Sequence, residues 1–310
     1  MKTKSDYQFA TKWLRNIFEE AESGNCCAQL RLGLCYLFGS ELRQDDDKAF
    51  EWVKRSAERG LVPAQRFLGE FYEEGTGVDR CYTLAARWMR RAAEQGDDLA
   101  QLMMGKYYSE GKGVRPNSEM MFRWFLKSAE QGNVFALFNL GVHHFFGSGV
   151  PENKEEGAKW FWKAAERGCG GAQYNLALCY FYGQGVFQDD QKGFFWLRNA
   201  AEHGHTKAIC ELGRRYQYGI GIEQDVEKAE EWYWKGIEKG SEDAEFFLDE
   251  IIWLQDHEEN DEGNDFEVLL DEEEPAIRRS KKQIRYEKMN RKRRWKGNKS
   301  SRRHSHMFIG

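Results

Sequence analysis

Alanine stands at positions 28, 64, 100, 136, 172, 208 and 244 of this chain, always 36 residues apart. Glycine keeps the same interval from 24 to 240, tryptophan from 52 to 232, and a Leu or Met from 32 to 248. A fifth series, Tyr36, Tyr72, Tyr108, Tyr180 and Tyr216, has His144 in its one gap. No insertion or deletion interrupts six periods. A repeat of this length is one supersecondary unit that cannot bury its apolar faces alone, so the chain must stack unit on unit around a continuous core.

Each period resolves into two helices. Ala28, Leu32 and Tyr36 fall at i, i+4 and i+8 and share one helical face. The sixth place of each repeat is glycine in five cases (Gly33, Gly69, Gly105, Gly141, Gly213) and Ala177 in the other. Glycine costs about 1 kcal/mol in a helix interior, so its recurrence predicts another helix backbone crossing closely. The first helix ends near Gly39, Gly75, Gly111, Gly147, Gly183 and Gly219, and repeats two to six continue as Gly-x-Gly-Val/Ile. A capping residue (Asp45, Asn117, Asn153, Asp189 or Asp225) then opens a second helix. Repeat two has Cys81 there, which predicts a weaker start. The second helix carries a stripe such as Trp88, Ala92 and Ala93 and closes on Glu-x-Gly, whose glycine supplies a left-handed cap.

The fold class is therefore all-α, a solenoid of six helix-turn-helix repeats at 28–63, 64–99, 100–135, 136–171, 172–207 and 208–243. Residues 1–27 hold an N-terminal capping helix with Trp13, Ile17 and Ala21 inward, and residues 244–256 a C-terminal capping helix. Only four prolines occur, so helix is permitted nearly everywhere.

The net charge of −5 conceals three regions. Residues 278–303 hold fourteen Lys/Arg against Glu287 alone, residues 256–274 hold eleven Asp/Glu and no base, and the body over 1–255 carries −7. Residues 257–275 are assigned as an acidic linker and 276–310 as a basic tail, since blocks of like charge repel themselves and stay disordered. The N-terminus lacks the apolar stretch of a secretory signal, and no run is long enough to cross a bilayer. Seven scattered cysteines read as reduced thiols and, with these absences, place the chain in the cytoplasm.

The pattern A-x-x-x-L-G-x-x-Y-x-x-G-x-G-V followed by K-A-x-x-W-x-x-K-A-A-E-x-G resembles the Sel-1-like repeat family, a branch of the tetratricopeptide-like solenoids. Repeat six shows it in Ala208, Leu212, Gly213, Tyr216, Gly219, Gly221, Ile222, Lys228, Ala229 and Trp232. The resemblance covers roughly residues 8–255. It implies a right-handed superhelix of helical pairs and a role as adaptor or scaffold in protein complexes, with no particular partner. A cysteine-rich secreted branch of that family, linked to β-lactam binding, carries a disulfide in its repeats. Here Cys35 and Cys179 share a repeat position that holds Phe71, Tyr107, His143 and Arg215 elsewhere, which argues against that branch.

As in similar solenoids, the first helices are expected to line the concave side. With positions one, five and nine facing the core, positions three, seven, ten and eleven point the other way. In repeats four and five these give Phe138, Val142, Phe145, Phe146, Tyr174, Leu178, Phe181 and Tyr182, an aromatic centre suited to gripping a partner segment. Acids flank it at Glu70, Glu73, Glu74 and Glu110. The competing expectation is that a tightly curved solenoid packs these rings against each other. His144 is expected in the core and His143 on the groove side.

The basic tail, with Lys281, Lys282, Arg291, Lys292, Arg293, Arg294 and Lys296, is open to several uses. It can hold RNA or DNA through phosphates, with Tyr286 and Trp295 stacking on bases, serve as a nuclear address, or fold back on the acidic groove. It can equally stay solvated with no fixed partner. The Gly-x-Gly turns follow no strand and recur every period, so they are not phosphate loops. The pair His304 and His306 lacks further metal ligands, and no catalytic motif is present. The expectation is a non-enzymatic scaffold binding other proteins, without cofactor, metal or membrane. A nucleic-acid or ribonucleoprotein role for the tail is the alternative.

Overall fold

The computed structural model describes residues 4–262, with side chains described over residues 12–255. Among the described residues there are fourteen α-helices and no strand. They are α1 (Lys4–Glu22), α2 (Cys26–Phe38), α3 (Asp46–Glu58), α4 (Val62–Glu74), α5 (Tyr82–Glu94), α6 (Asp98–Glu110) and α7 (Ser118–Glu130). The series continues with α8 (Val134–Phe146), α9 (Lys154–Glu166), α10 (Gly170–Tyr182), α11 (Asp190–Glu202), α12 (Thr206–Tyr218), α13 (Val226–Glu238) and α14 (Glu242–Glu262). The described residues form two compact units, divided between 208 and 209.

In the first unit each helix packs on the next, α1 on α2 and so on to α10 on α11, as expected of an all-α solenoid. The even-numbered helices are the first helices of the repeats and the odd-numbered ones from α3 the second. The pair contact is made at the sixth-position glycine. A methyl group on Gly105 would stand 2.4 Å from the Phe125 ring, and one on Gly141 2.5 Å from Phe161. There a large side chain of the second helix lies directly on the first helix's backbone. The close approach of backbone to backbone inferred from sequence occurs at Gly33 and Gly69, where a methyl group would stand 3.2 and 3.3 Å from the Ala49 and Ala85 carbonyl oxygens.

The caps form as the sequence indicates. Asp45, Asn117, Asn153 and Asp189 each accept from the backbone N–H three residues on, at 2.9–3.0 Å. Cys81 adopts the same extended backbone but makes no side-chain cap. The second glycine of Gly-x-Gly fits against the preceding repeat: a methyl group on Gly77 would lie 2.1 Å from the Asp46 carbonyl oxygen. That approach explains why the turn recurs.

A further tie between repeats has no counterpart in the apolar pattern. Gln29, Gln65, Gln101 and Gln173 are buried, and each donates its side-chain N–H to a carbonyl at the end of the preceding odd-numbered helix (Ala21, Ala57, Ala93, Ala165) at 3.0–3.4 Å. Gln95 and Gln131 donate in turn to Gln65 and Gln101 at 2.7 and 2.8 Å. Each of these alanine carbonyls also accepts the backbone N–H of the glycine three residues on, so the glutamine takes the second lone pair and ties one repeat to the helix end before it.

At the N-terminus Ile17 and Ala21 are buried on Ala28 and Leu32 as expected, but Trp13 is 40% exposed. A capping helix meets one neighbour only, so its first described turn has less to pack against.

In the second unit, Tyr233 of α13 is fully buried, stacks on Phe247 of α14 at 5.6 Å and donates its hydroxyl to Gln217 at 2.7 Å. The last helix runs to Glu262, beyond the cap expected at 244–256; carboxylates do not break a helix, and the first strong breaker after Trp253 is Gly263.

Candidate functional site

The eight aromatic and apolar candidates divide into three groups. Phe146 and Tyr182, the last residues of α8 and α10, are 62% and 63% exposed. Val142 and Leu178, one turn earlier on the same helices, are half-buried. Phe138 and Tyr174 reach towards the start of the next even-numbered helix: the Phe138 ring lies over Gly171 and beside Phe161, and Tyr174 stacks on His205 at 5.0 Å.

Phe145 and Phe181 contradict the expectation that position ten faces outward. Both are buried, Phe145 against Phe161 and Phe181 edge-on to Phe194. The reason lies in the facing helices. Gly157 and Gly193 stand where the other repeats have Ala49, Ala85, Met121 and Ala229. A methyl group on Gly157 would meet Phe145 Cβ at 2.7 Å, and one on Gly193 the Phe181 ring at 2.5 Å. Repeats four and five have thus exchanged a second-helix side chain for a first-helix phenylalanine. The coincidence of Phe at position ten with Gly at position twenty-two was the signal available in the sequence. His143 likewise faces inward, its ring on Phe125 and its Nδ1 2.7 Å from the Ser148 carbonyl oxygen.

The true outward stripe runs at i, i+4, i+7 and i+11. On α8 it comprises Phe135, Asn139, Val142 and Phe146; on α10 Gly171, Asn175, Leu178 and Tyr182. Phe135, which sequence reasoning passed over, is 61% exposed. The same stripe on α6 begins with Leu99, 42% exposed, and ends in Lys106 and Glu110. The face is therefore apolar on α8 and α10 and charged on α4 and α6.

The acidic candidates are largely engaged within the fold. Glu70 accepts from Arg66 at 2.8 Å; burial holds its carboxyl above the usual range, opposed by that guanidinium. Glu73 accepts from the Tyr107 hydroxyl at 2.5 Å and lies 4.0 Å from Lys112, which pairs with Glu110 at 2.7 Å. Burial, then the hydrogen bond to Glu73, pushes the Tyr107 hydroxyl far up. Glu74 is exposed. The flank is thus a network of paired charges rather than a bare acidic wall.

All seven cysteines are free, and burial raises the Cys35 and Cys179 thiols, the latter to about 12. Among the described residues no cluster of three or more His, Cys, Asp or Glu is placed to hold a metal, and no helix is long and apolar enough to cross a membrane. Lys281, Lys282, Arg291, Lys292, Arg293, Arg294 and Lys296 lie outside the described residues.

The Sel1 repeat family model matches residues 28–61, 62–97, 98–133, 134–169, 171–205 and 206–241. Among solved structures the chain is similar to c5321, a protective antigen present in uropathogenic Escherichia coli strains and displaying an SLR fold. The identity is 38% and the TM-score 0.69, over 77% of this chain and 50% of that one. It is also similar to a Sel1 repeat protein from Oxalobacter formigenes, at 31% identity and TM-score 0.64, over 69% of this chain and 85% of that one. The chain thus spans half the length of c5321. No curated protein matches it.

Proposed function

The chain belongs to the Sel1 repeat family, whose members are generally scaffolds for protein–protein interaction, and from that premise we propose that it holds an extended segment of another protein against the outward face of α8 and α10. One observation carries the proposal. Three aromatic rings on two successive first helices, Phe135, Phe146 and Tyr182, each stay more than 60% exposed while their neighbours Phe145 and Phe181 are buried. Exposed rings forgo the free energy of burial, and exposed apolar surface marks contact sites. Aromatic anchors are also the residues that dominate binding energy at interfaces. Val142 and Leu178 supply an apolar floor between the rings, and the side-chain amides of Asn139 and Asn175 place polar groups beside it.

The role is one of holding rather than of chemistry. Affinity capture from a native lysate with the wild-type chain and with Phe146→Glu/Tyr182→Glu, followed by mass spectrometry, tests it. The variant is expected to lose a defined subset of proteins while its helical circular dichroism is unchanged. An identical protein set from both would refute the assignment. The nucleic-acid alternative falls on the tail, and it predicts instead that the captured material is nuclease-sensitive and indifferent to this pair of substitutions.

A further inference from the structure

A second surface lies on the opposite helices. On each of α3, α5, α7, α9 and α11, three residues flank the recurrent tryptophan, the one before it and those two and three after it. Most are exposed, while Lys54 and Asn199 are half-buried and Leu126 packs against the core. Across these positions there are ten Lys or Arg and one acid, Glu51. The centre is α5, whose outward positions are Arg87, Arg90 and Arg91 and whose first turn contains no acid. Body charge over residues 1–255 is −7, so this concentration runs against the average of the chain.

Arg123, Lys159 and Arg198 pair with Glu119, Glu155 and Glu202 on their own helices, at 3.7, 2.8 and 2.8 Å, whereas tryptophan rings hold four others. Arg55 sits over Trp52 at 4.7 Å, Arg91 over Trp88 at 4.5 Å, Lys127 over Trp124 at 4.7 Å and Lys163 over Trp160 at 3.9 Å. A cation on an indole face is fixed in position without being neutralised. The odd-numbered helices are neighbours in one layer: Arg59 beyond α3 donates to the Gly24 carbonyl beyond α1 at 2.8 Å, and Gln131 beyond α7 to Gly96 beyond α5 at 3.0 Å. The positive positions consequently form a band running across the helices, not along one of them.

The band is narrow. Beyond it stands an exposed glutamate at the end of every helix: Glu58, Glu94, Glu130, Glu166 and Glu202. At the other side α3, α7, α9 and α11 carry acids in their first turns. From the band's last residue to the glutamate is three residues, roughly 4.5 Å of helix. A nucleic-acid duplex or a layer of anionic headgroups would overlap these carboxylates. An extended polypeptide would not: it is narrow enough to follow the band, and it advances about 10 Å every three residues as it passes from one odd-numbered helix towards the next. Arginine also matches a planar carboxylate with two parallel hydrogen bonds.

From this geometry we infer that the tryptophan-bearing face of α3, α5, α7 and α9 is a second docking surface, which takes an acidic extended protein segment lying across the helices. It is separate from the apolar face of α8 and α10 and stands or falls independently of it.

Fluorescence anisotropy on the full chain tests the inference with three labelled probes: a twelve-residue peptide with glutamate at every third position, the same peptide with glutamine there, and a twelve-nucleotide thymidine strand. The glutamate peptide is expected to bind with an affinity that falls as salt rises, and the glutamine peptide not to bind. Arg87→Glu/Arg123→Glu touches neither a tryptophan stack nor the core, and should weaken the glutamate peptide at least tenfold. Arg87→Gln/Arg123→Gln should weaken it less, and Phe146→Glu/Tyr182→Glu should leave it unchanged. Absence of binding, equal binding of both peptides, or insensitivity to Arg87→Glu/Arg123→Glu would overturn the inference, the last by assigning the binding to the basic tail. Tighter binding of the thymidine strand, lost in Arg87→Glu/Arg123→Glu, would overturn it in favour of nucleic acid.

Discussion

Adjacent aromatic residues at the end of α10 should respond in opposite ways to truncation. Phe181 is 5% exposed and its ring fills the space that Gly193 leaves open, whereas Tyr182 is 63% exposed. Removing a buried phenylalanine ring costs about 3–5 kcal/mol, counting the cavity left behind. Gly193 has no side chain that could move into the gap, so Phe181→Ala belongs in the upper half of that range, near 4 kcal/mol. With a urea slope of about 3 kcal/mol/M, the unfolding midpoint falls by more than 1 M. Tyr182→Ala should stay within about 0.5 kcal/mol of wild type. Urea titrations followed at 222 nm measure both. The exchange of side chains between helices adds a sharper check, because repeat one pairs Leu37 with Ala49 where repeat five pairs Phe181 with Gly193. Gly193→Ala alone overpacks the ring, at a cost of about 1–3 kcal/mol offset by about 1 kcal/mol of helix propensity. Combined with Phe181→Leu it should be less damaging than the sum of the singles by about 1 kcal/mol or more. Equal midpoints for Phe181→Ala and wild type would refute the packing argument and return Phe181 to the outward face.

Three smaller perturbations follow the same logic. Cys81→Asp supplies the missing cap at the start of α5 and should stabilise the chain by about 1 kcal/mol in the same titration. Tyr107→Phe removes the donor to the half-buried Glu73 and should cost about 1–2 kcal/mol. His205 is held below its usual pKa by burial first and by Lys207 second, and its Nδ1 accepts from the Ala208 backbone N–H at 3.3 Å, which requires the neutral ring. Its folded pKa being depressed, the contribution is full above the unfolded value of about 6.5 and lost as pH falls through the folded value. His205→Asn should therefore reduce the drop in thermal midpoint between pH 7 and pH 5; an unchanged drop would exclude His205 as its source.

The repeat period, the helix ends and the close crossing at Gly33 and Gly69 were legible because each rests on a local requirement that recurs along the chain. A cap needs Asp or Asn, a left-handed turn needs glycine, and a close crossing needs the absence of a Cβ. The fate of position ten was not legible from the first helices alone, since whether Phe145 points to partner or core is decided by Gly157 on another helix. The buried glutamines escaped notice for a related reason. Gln65 or Gln101 reads as a polar surface residue until the carbonyl it satisfies, eight residues back on the preceding helix, is placed beside it. Phe135 lies outside positions three, seven, ten and eleven because the outward stripe starts one residue before the repeat's alanine.

Site-specific photocrosslinking reads the central claim most directly. With p-benzoylphenylalanine placed in turn at positions 146 and 182 of the full chain, irradiation in native lysate should give a covalent adduct with the same protein at both. Adducts to nucleic acid at these positions, or no adduct at either, would contradict the claim that the apolar end of α8 and α10 is where this scaffold holds its partner.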